Sequence, residues 1–181
     1  MFIAEIKTFS PFGFKTTDSI EVLRDAAITW GDMVSVHTDP RWHGTWKDLQ
    51  EVRKLTSKPI LSKGMHHTDD DIQKALDLGA DKVLVVGRVP ATKYIPYCLL
   101  EPLYASQLPT YPLDATIVWN SRDLATGAPK NKKLWTLFRS QVTGPLIHAS
   151  KIRLPSDVMP GADGFIVGEH LLTFIKASQV H

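Results

Sequence analysis

Charged side chains recur near the ends of short apolar runs in this sequence, and they are the groups that could do chemistry. Glu5 and Lys7 stand two positions apart within IAEIKTFSP, residues 3–11. Because side chains of a strand alternate between its faces, this acid and this base share one face. Such a pair is either a surface ion pair, which contributes about 0–1 kcal/mol, or part of a site. Asn120 and Arg122 repeat the same spacing.

The elements that must position these residues follow one another in a regular order. Apolar, β-branched runs alternate with helical patterns, which is typical of βαβ units and a parallel sheet. No GxGxxG or GxxxxGK[ST] loop occurs, so a (βα) barrel is favoured over a nucleotide-binding doubly wound sheet. The predicted strands are 2–7, 33–38, 59–64, 82–87, 115–120, 145–150 and 164–169, and the predicted helices are 18–31, 45–56, 68–79, 93–108 and 131–142.

Composition limits the classes of function. The chain has 181 residues, of which 43% are hydrophobic and 22% charged, and its net charge is +2. These values predict one domain, 1–181, and give no electrostatic case for a nucleic-acid or membrane partner. The single cysteine, Cys98, excludes an internal disulfide framework and fits a reducing compartment. With neither a signal-peptide pattern nor an apolar stretch of about 20 residues, we expect a cytoplasmic protein.

In a (βα) barrel, catalytic groups lie at the C-terminal ends of the strands. Several of the predicted strand ends carry cations, which suits an anionic ligand. HHTDDD at 66–71 could suggest a metal site, but Thr68 is predicted to be an N-cap with acids in the first turn. We therefore predict neither a metal nor a cofactor. The other histidines show no ligand spacing, and they are His37, His43, His148, His170 and His181.

Several segments together resemble the indole-3-glycerol phosphate synthase family, in order and over nearly the whole chain. They are IAEIKTFSP, VHTDPRWHGTWKDLQEVRKLTSKPILSKG, LGADKVLVV, IVWNSRDLATG, HASKI and GADGFIVGEHLL. The resemblance implies a (βα)8 barrel and a decarboxylating carbon–carbon lyase of tryptophan biosynthesis. Such an enzyme closes the indole ring of 1-(2-carboxyphenylamino)-1-deoxyribulose 5-phosphate, a small sugar phosphate.

The resemblance also implies roles for individual residues. Lys63 would be the general acid on the ketone oxygen, and Lys7 would hold the substrate carboxylate and assist proton transfer. Glu5 would orient these lysines, while Asn120 and Arg122 would position the substrate. Trp42 would lie beside the anthranilate ring. The other predicted substrate- and phosphate-binding residues are Ser10, Arg88, Ser150, Lys151, Gly168 and Glu169.

The sequence departs from the family pattern in ways that bear on fold and function. Because the first predicted strand begins at residue 2, we expect no counterpart of the family's N-terminal helical extension. Between 87 and 115 there is room for one helix, so we expect one βα unit to be deleted, together with the acid/base glutamate of the fifth strand. Glu101, inside the predicted helix 93–108, is a poor replacement. HASKI places Lys151 where the family has a phosphate-binding glycine.

These departures shape the predicted fold and leave two functions open. We expect a TIM-type (βα) barrel that is shortened or incompletely closed, with about seven strands and with 82–87 beside 115–120. A second copy of the chain could cover an open edge, as a homo-oligomer. The chain is either a compact synthase or a degenerate barrel that binds a sugar phosphate with little or no turnover. A phosphoribosylanthranilate isomerase is disfavoured because Cys98 falls in a predicted helix.

Overall fold

Eight parallel strands close into one ring in the computed structural model, which describes residues 1–179. Each strand pairs with its sequence neighbours, and the first closes the ring against the last, with Phe2 opposite Phe165. His181 lies outside the described residues. The strands are β1 (Phe2–Ile6), β2 (Met33–His37), β3 (Ile60–Lys63), β4 (Lys82–Val86), β5 (Cys98–Glu101), β6 (Ile117–Asn120), β7 (Leu146–Ala149) and β8 (Gly164–Val167).

Helices and short 3-10 turns connect the strands. The predicted N-cap is confirmed: Thr68 accepts from Asp71 N, and the Asp71 side chain accepts from Thr68 N. A hairpin of Phe9–Ser10 and Phe14–Lys15 follows β1. The α-helices are α1 (Ile20–Trp30), α2 (Trp46–Leu55), α3 (Asp69–Asp77), α4 (Lys133–Gln141) and α5 (Leu171–Ser178), and the 3-10 helices are Pro40–Trp42, Thr92–Tyr97, Ala105–Thr110 and Pro155–Asp157. None of the helices up to residue 179 is long and apolar enough to cross a membrane.

The strand side chains alternate between the barrel interior and the helix layer. Ile3, Leu61 and Val118 belong to the interior cluster, whereas Val34 and Ile60 pack outward with the helices. Towards the C-terminal ends of the strands, the next inward-facing side chains lie at the mouth of the barrel. The residues at these inward positions are Glu5, His37, Lys63, Glu101, Asn120 and Gly168.

The expectation of about seven strands and an incompletely closed barrel is wrong. All seven predicted strands form, but the predicted helix 93–108 is instead a 3-10 helix, then β5, then a second 3-10 helix. The physical reason is proline: Pro96 and Pro102 each lack a backbone donor and interrupt an α-helix.

The eighth strand lies where the sequence predicted two other strands to be neighbours. β5 pairs with β4 from Val83 opposite Cys98 to Val86 opposite Glu101, and it pairs with β6 through Leu100 and Ile117. The strands predicted at 82–87 and 115–120 are therefore not adjacent. Since the ring through residue 179 is closed, it offers no open edge for a second copy to cover.

Candidate active site

A cavity of about 420 Å³ opens at the C-terminal mouth of the barrel. One part of its wall is apolar, and the other carries polar and charged side chains from six of the strand ends and the loops that follow. The apolar residues are Phe12, Trp42, Met65, Leu84, Val86 and Leu124, and the polar ones are Lys7, His37, Lys63, Glu101, Asn120, Arg122 and Ser150. Such a wall suits a ligand with both an aromatic and an anionic part.

Glu5 lies at the centre of the charged groups and is almost completely buried, at 3% exposure. One carboxylate oxygen, Oε2, lies 3.0 Å from Lys63 Nζ, and the other contacts His37 Nε2. Although burial alone would raise the pKa of Glu5, Lys63, Lys7 and His37 hold it well below its ordinary value. Glu5 is therefore a buried negative charge in contact with both Lys63 and His37.

Glu169 holds the two cations that were predicted to bind the substrate. Both of its oxygens accept from Arg122, at 2.7 and 2.8 Å, and Lys7 Nζ donates to Oε1 at 3.2 Å. Burial favours a neutral Glu169, but the bonds from Arg122 and Lys7 keep its pKa below the ordinary value. Burial also lowers the pKa of Lys7, which eases proton transfer by this amine. Ser10 Oγ accepts from Arg122 Nη1 at 3.3 Å.

Glu101 ends β5 inside the same cavity, and the sequence analysis missed it as a site residue. Its side chain is 1% exposed, and Oε1 accepts from Asn120 Nδ2 at 2.9 Å. Burial raises the pKa of Glu101, against the opposing effects of Asn120 and Lys63. A carboxyl group with a raised pKa is suited to give and take protons near neutral pH. The signal that could have found it is CLLE, a short apolar run with a proline on either side.

A smaller cavity of about 290 Å³ lies beside the first, and its lining includes four of the predicted substrate- and phosphate-binding residues, Ser150, Lys151, Gly168 and Glu169. Ser150 and Lys151 have φ angles of 69° and 58°, so the chain adopts at Lys151 the left-handed geometry that glycine favours. Gly168 leaves room for two charged side chains, because a Cβ there would lie 2.4 Å from Glu5 Oε2 and 3.1 Å from Lys7 Cδ and would displace them.

Two of the predicted residues are placed differently from this group. Trp42 lines the main cavity and stacks on His37, with ring centroids 5.7 Å apart. In the described part of the chain, Arg88 lines neither the main cavity nor the smaller one. Its guanidinium binds Asp69 at 2.6 Å and the His66 carbonyl at 3.0 Å.

Among residues 1–179, the cysteine and the histidines belong to no group of side chains that could hold a metal ion. Cys98 begins β5, so the prediction of a helical cysteine is wrong, but the residue lies at the strand end away from the mouth. It is buried, and burial raises its pKa to about 11. Over residues 1–179, no group of three or more histidine, cysteine or acidic side chains could hold a metal ion.

Comparison with known proteins gives a family match and a structural likeness. A family model described as indole-3-glycerol phosphate synthase matches residues 1–106. The synthase of Pyrococcus abyssi is 31% identical over 91 residues, which cover 48% of this chain and 40% of that protein. The synthase of Caldanaerobacter subterraneus is 28% identical over 192 aligned positions, which cover 94% of this chain and 75% of that protein.

The chain spans well under two thirds of the length of the first such relatives. Among solved structures, 3-hexulose-6-phosphate synthase from Salmonella typhimurium superposes with a TM-score of 0.66 at 15% identity. The superposition covers 97% of this chain and 99% of that one. At that identity the likeness shows the fold alone, a closed barrel of the TIM type.

Proposed function

Because this chain belongs to the indole-3-glycerol phosphate synthase family, we propose that it closes and decarboxylates 1-(2-carboxyphenylamino)-1-deoxyribulose 5-phosphate, as one domain over 1–181. The observation that carries the proposal is the position of Glu101. A buried carboxyl group with a raised pKa faces the same cavity as Lys63, and it would serve as the acid/base residue that was expected to be deleted.

The reaction sets three demands that these side chains can meet. Attack of the arene carbon on the ketone needs a proton on the ketone oxygen, which Lys63 would donate. The ring carboxylate then leaves as carbon dioxide. That loss restores the aromatic benzene ring. Loss of water then forms the double bond of the five-membered ring and needs both a base and an acid, for which Glu101 and Lys7 are the candidates. Glu5 would keep Lys63 in place through its 3.0 Å ion pair.

Binding would divide between the two parts of the mouth. The arene would lie against the apolar wall beside Trp42, and its carboxylate would bind Lys7 in place of Glu169. The phosphate would lie at the smaller cavity, by Arg122, Ser150, Lys151 and the backbone at Gly168. Asn120 would hold Glu101 and the substrate together. Arg88 keeps a predicted role in anion binding, but its pairing with Asp69 gives that role no support.

The second candidate is a barrel that binds a sugar phosphate with little or no turnover. Its main basis was the absence of the fifth-strand glutamate, and Glu101 removes that basis. One observation still favours it: Glu169 neutralises both Arg122 and Lys7, which a productive substrate would need.

Indole formation decides between the two candidates. The purified protein is incubated with the carboxyphenylamino-deoxyribulose phosphate, and the rise of indole fluorescence is followed. We expect turnover that Lys63→Ala lowers by about 10²–10⁴-fold, the usual contribution of a general acid. Lys54→Ala, in an exposed lysine of α2, is the matched control and should leave the rate unchanged. Tight phosphate binding without fluorescence would establish the second candidate.

The proposal carries several further expectations. The substrate is a small sugar phosphate, no cofactor takes part, and neither nucleic acid nor a membrane is a partner. We also propose a cytoplasmic location, because a single free cysteine fits a reducing compartment. The closed ring removes the reason for expecting a homo-oligomer, and the oligomeric state stays a prediction to be measured.

A further inference from the structure

His37 has a place in the site that its sequence context did not indicate. It is the last residue of β2, with 7% of its side chain exposed, and Nε2 contacts one oxygen of Glu5. The other oxygen of Glu5 pairs with Lys63 at 3.0 Å. The carboxylate is thus held between an imidazole and an ammonium group, and each of them fixes one oxygen.

The surroundings fix the imidazole ring in turn. The indole of Trp42 stacks nearly parallel on it, with 9° between the ring planes. The backbone at Gly44 packs directly against His37. A Cβ at Gly44 would lie 2.3 Å from the carbonyl oxygen of His37 and 2.7 Å from the Cβ of His37. The ring therefore has little freedom to leave Glu5.

The charged groups around His37 determine its protonation state. Glu5 and Lys7 face it from β1 and the loop that follows, and Lys63 faces it from β3. A second cavity, of about 740 Å³, also includes His37 in its lining, and its ionisable residues are Arg24, His43, Asp48 and Glu51. Burial lowers the pKa of His37 and the two lysines add to this, which outweighs the opposing effect of Glu5.

A neutral ring beside an ionised carboxylate can have only one tautomer. Because the Glu5 carboxylate can only accept, Nε2 must carry the proton and donate it. Nδ1 is then a bare acceptor, and it is buried without a hydrogen-bond partner in the described part of the chain. A second cation at this position would compete with Lys63 for Glu5, whereas a neutral donor orients the carboxylate without removing the charge that holds Lys63.

We propose that His37 is a positioning residue of the proposed reaction, a neutral Nε2–H donor that fixes Glu5 and through it directs Lys63 into the cavity. The proposal rests on the function proposed above. It predicts that the donor matters and the imidazole itself does not. Glutamine can place an amide N–H where Nε2 lies, and leucine fills similar space with no donor.

The test compares His37→Gln and His37→Leu with His43→Gln, a control at an exposed histidine that stacks on Phe9. His37→Leu should lower kcat by about 10- to 100-fold with KM little changed, because misplaced catalytic groups cost rates of this order. His37→Gln should recover most of the loss, and His43→Gln should equal the unchanged protein. Equal losses in both folded His37 variants, or no loss in His37→Leu, would overturn the proposal.

Two spectroscopic measurements decide the question without turnover. The ¹⁵N spectrum of His37 should show the neutral Nε2–H tautomer at pH 7, and an imidazolium or an Nδ1–H tautomer would overturn the proposal. The ¹³C titration of the Glu5 carboxyl should show a higher pKa in His37→Leu but not in His37→Gln. If the unchanged protein forms no indole, the proposed function fails, and these spectra still show whether His37 holds Glu5.

Discussion

Replacement of Glu101 by glutamine separates chemistry from structure at the end of β5. Gln keeps the shape of the side chain and the Oε1 acceptor that binds Asn120 at 2.9 Å, but it cannot give or take a proton. A general acid or base contributes about 10²–10⁴-fold to rate, which equals about 2.7–5.4 kcal/mol of transition-state stabilisation. The retained hydrogen bond is worth about 1 kcal/mol, so folding should change far less than catalysis.

The stability of the variant has a predictable pH dependence. Because burial raises the pKa of Glu101, the folded protein binds this proton more tightly than the unfolded chain does. The contribution of Glu101 to stability is therefore lost as the pH rises from the ordinary pKa of a glutamate through the raised pKa of Glu101 in the folded protein. Glu101→Gln removes that loss. The melting temperature of this variant should equal that of the unchanged protein in acid and should be higher than that of the unchanged protein at higher pH.

The assay pairs indole fluorescence with thermal melts across this pH range. The expected result is a kcat lower by about 10²–10⁴-fold in a variant that is at least as stable as the unchanged protein. A variant with more than a tenth of the original kcat would refute the acid/base role. A parallel fall in kcat and melting temperature would refute it as well, because it would make Glu101 a structural residue.

Three further predictions concern the anion-binding side of the mouth. Millimolar phosphate should raise the melting temperature, and Arg122→Ala should weaken this response; no shift in the unchanged protein would argue against a phosphate site. Glu169→Gln should tighten phosphate binding by about tenfold in a thermal-shift titration, because it removes the charge that occupies Arg122 and Lys7; weaker binding would show that Glu169 is needed to hold them. Gly168→Ala should lower kcat without unfolding the barrel, since its Cβ would displace Glu5 from Lys63; an unchanged kcat would contradict that.

Much of the site could be predicted because two simple regularities act together. The alternation along a strand placed Glu5 and Lys7 on one face, and the rule for parallel barrels placed strand ends at one mouth. These rules need no knowledge of pairing register. The contact of His37 with Glu5 does need it, since Glu5 lies opposite Ser35 and reaches His37 two residues further along β2. A single sequence contains no such register.

The helix predicted at 93–108 failed for a different reason. CLLE is buried at all four positions, so it shows no period-two alternation, and its apolar neighbours can be fitted to a helical spacing. Pro96 and Pro102 argue against an α-helix more strongly than the apolar spacing argues for one, because a proline inside an α-helix removes a backbone hydrogen bond. Two further expectations were wrong for the same reason: one βα unit was expected to be deleted, and Glu101 was expected to lie in a helix.

The compressed part of the barrel shows how eight strands fit in so short a chain. The connections on either side of β5 contain 3-10 helices in place of α-helices, and Tyr94, Leu108 and Tyr111 supply the buried outer layer there. Removal of the whole βα unit would have narrowed the ring and crowded its inward side chains, at about 1–3 kcal/mol for each overpacked position. Shortening the outer layer instead leaves the inner ring at eight strands. It also keeps Glu101 at the mouth, because the connections on either side of β5 are shortened and the strand that carries Glu101 is kept.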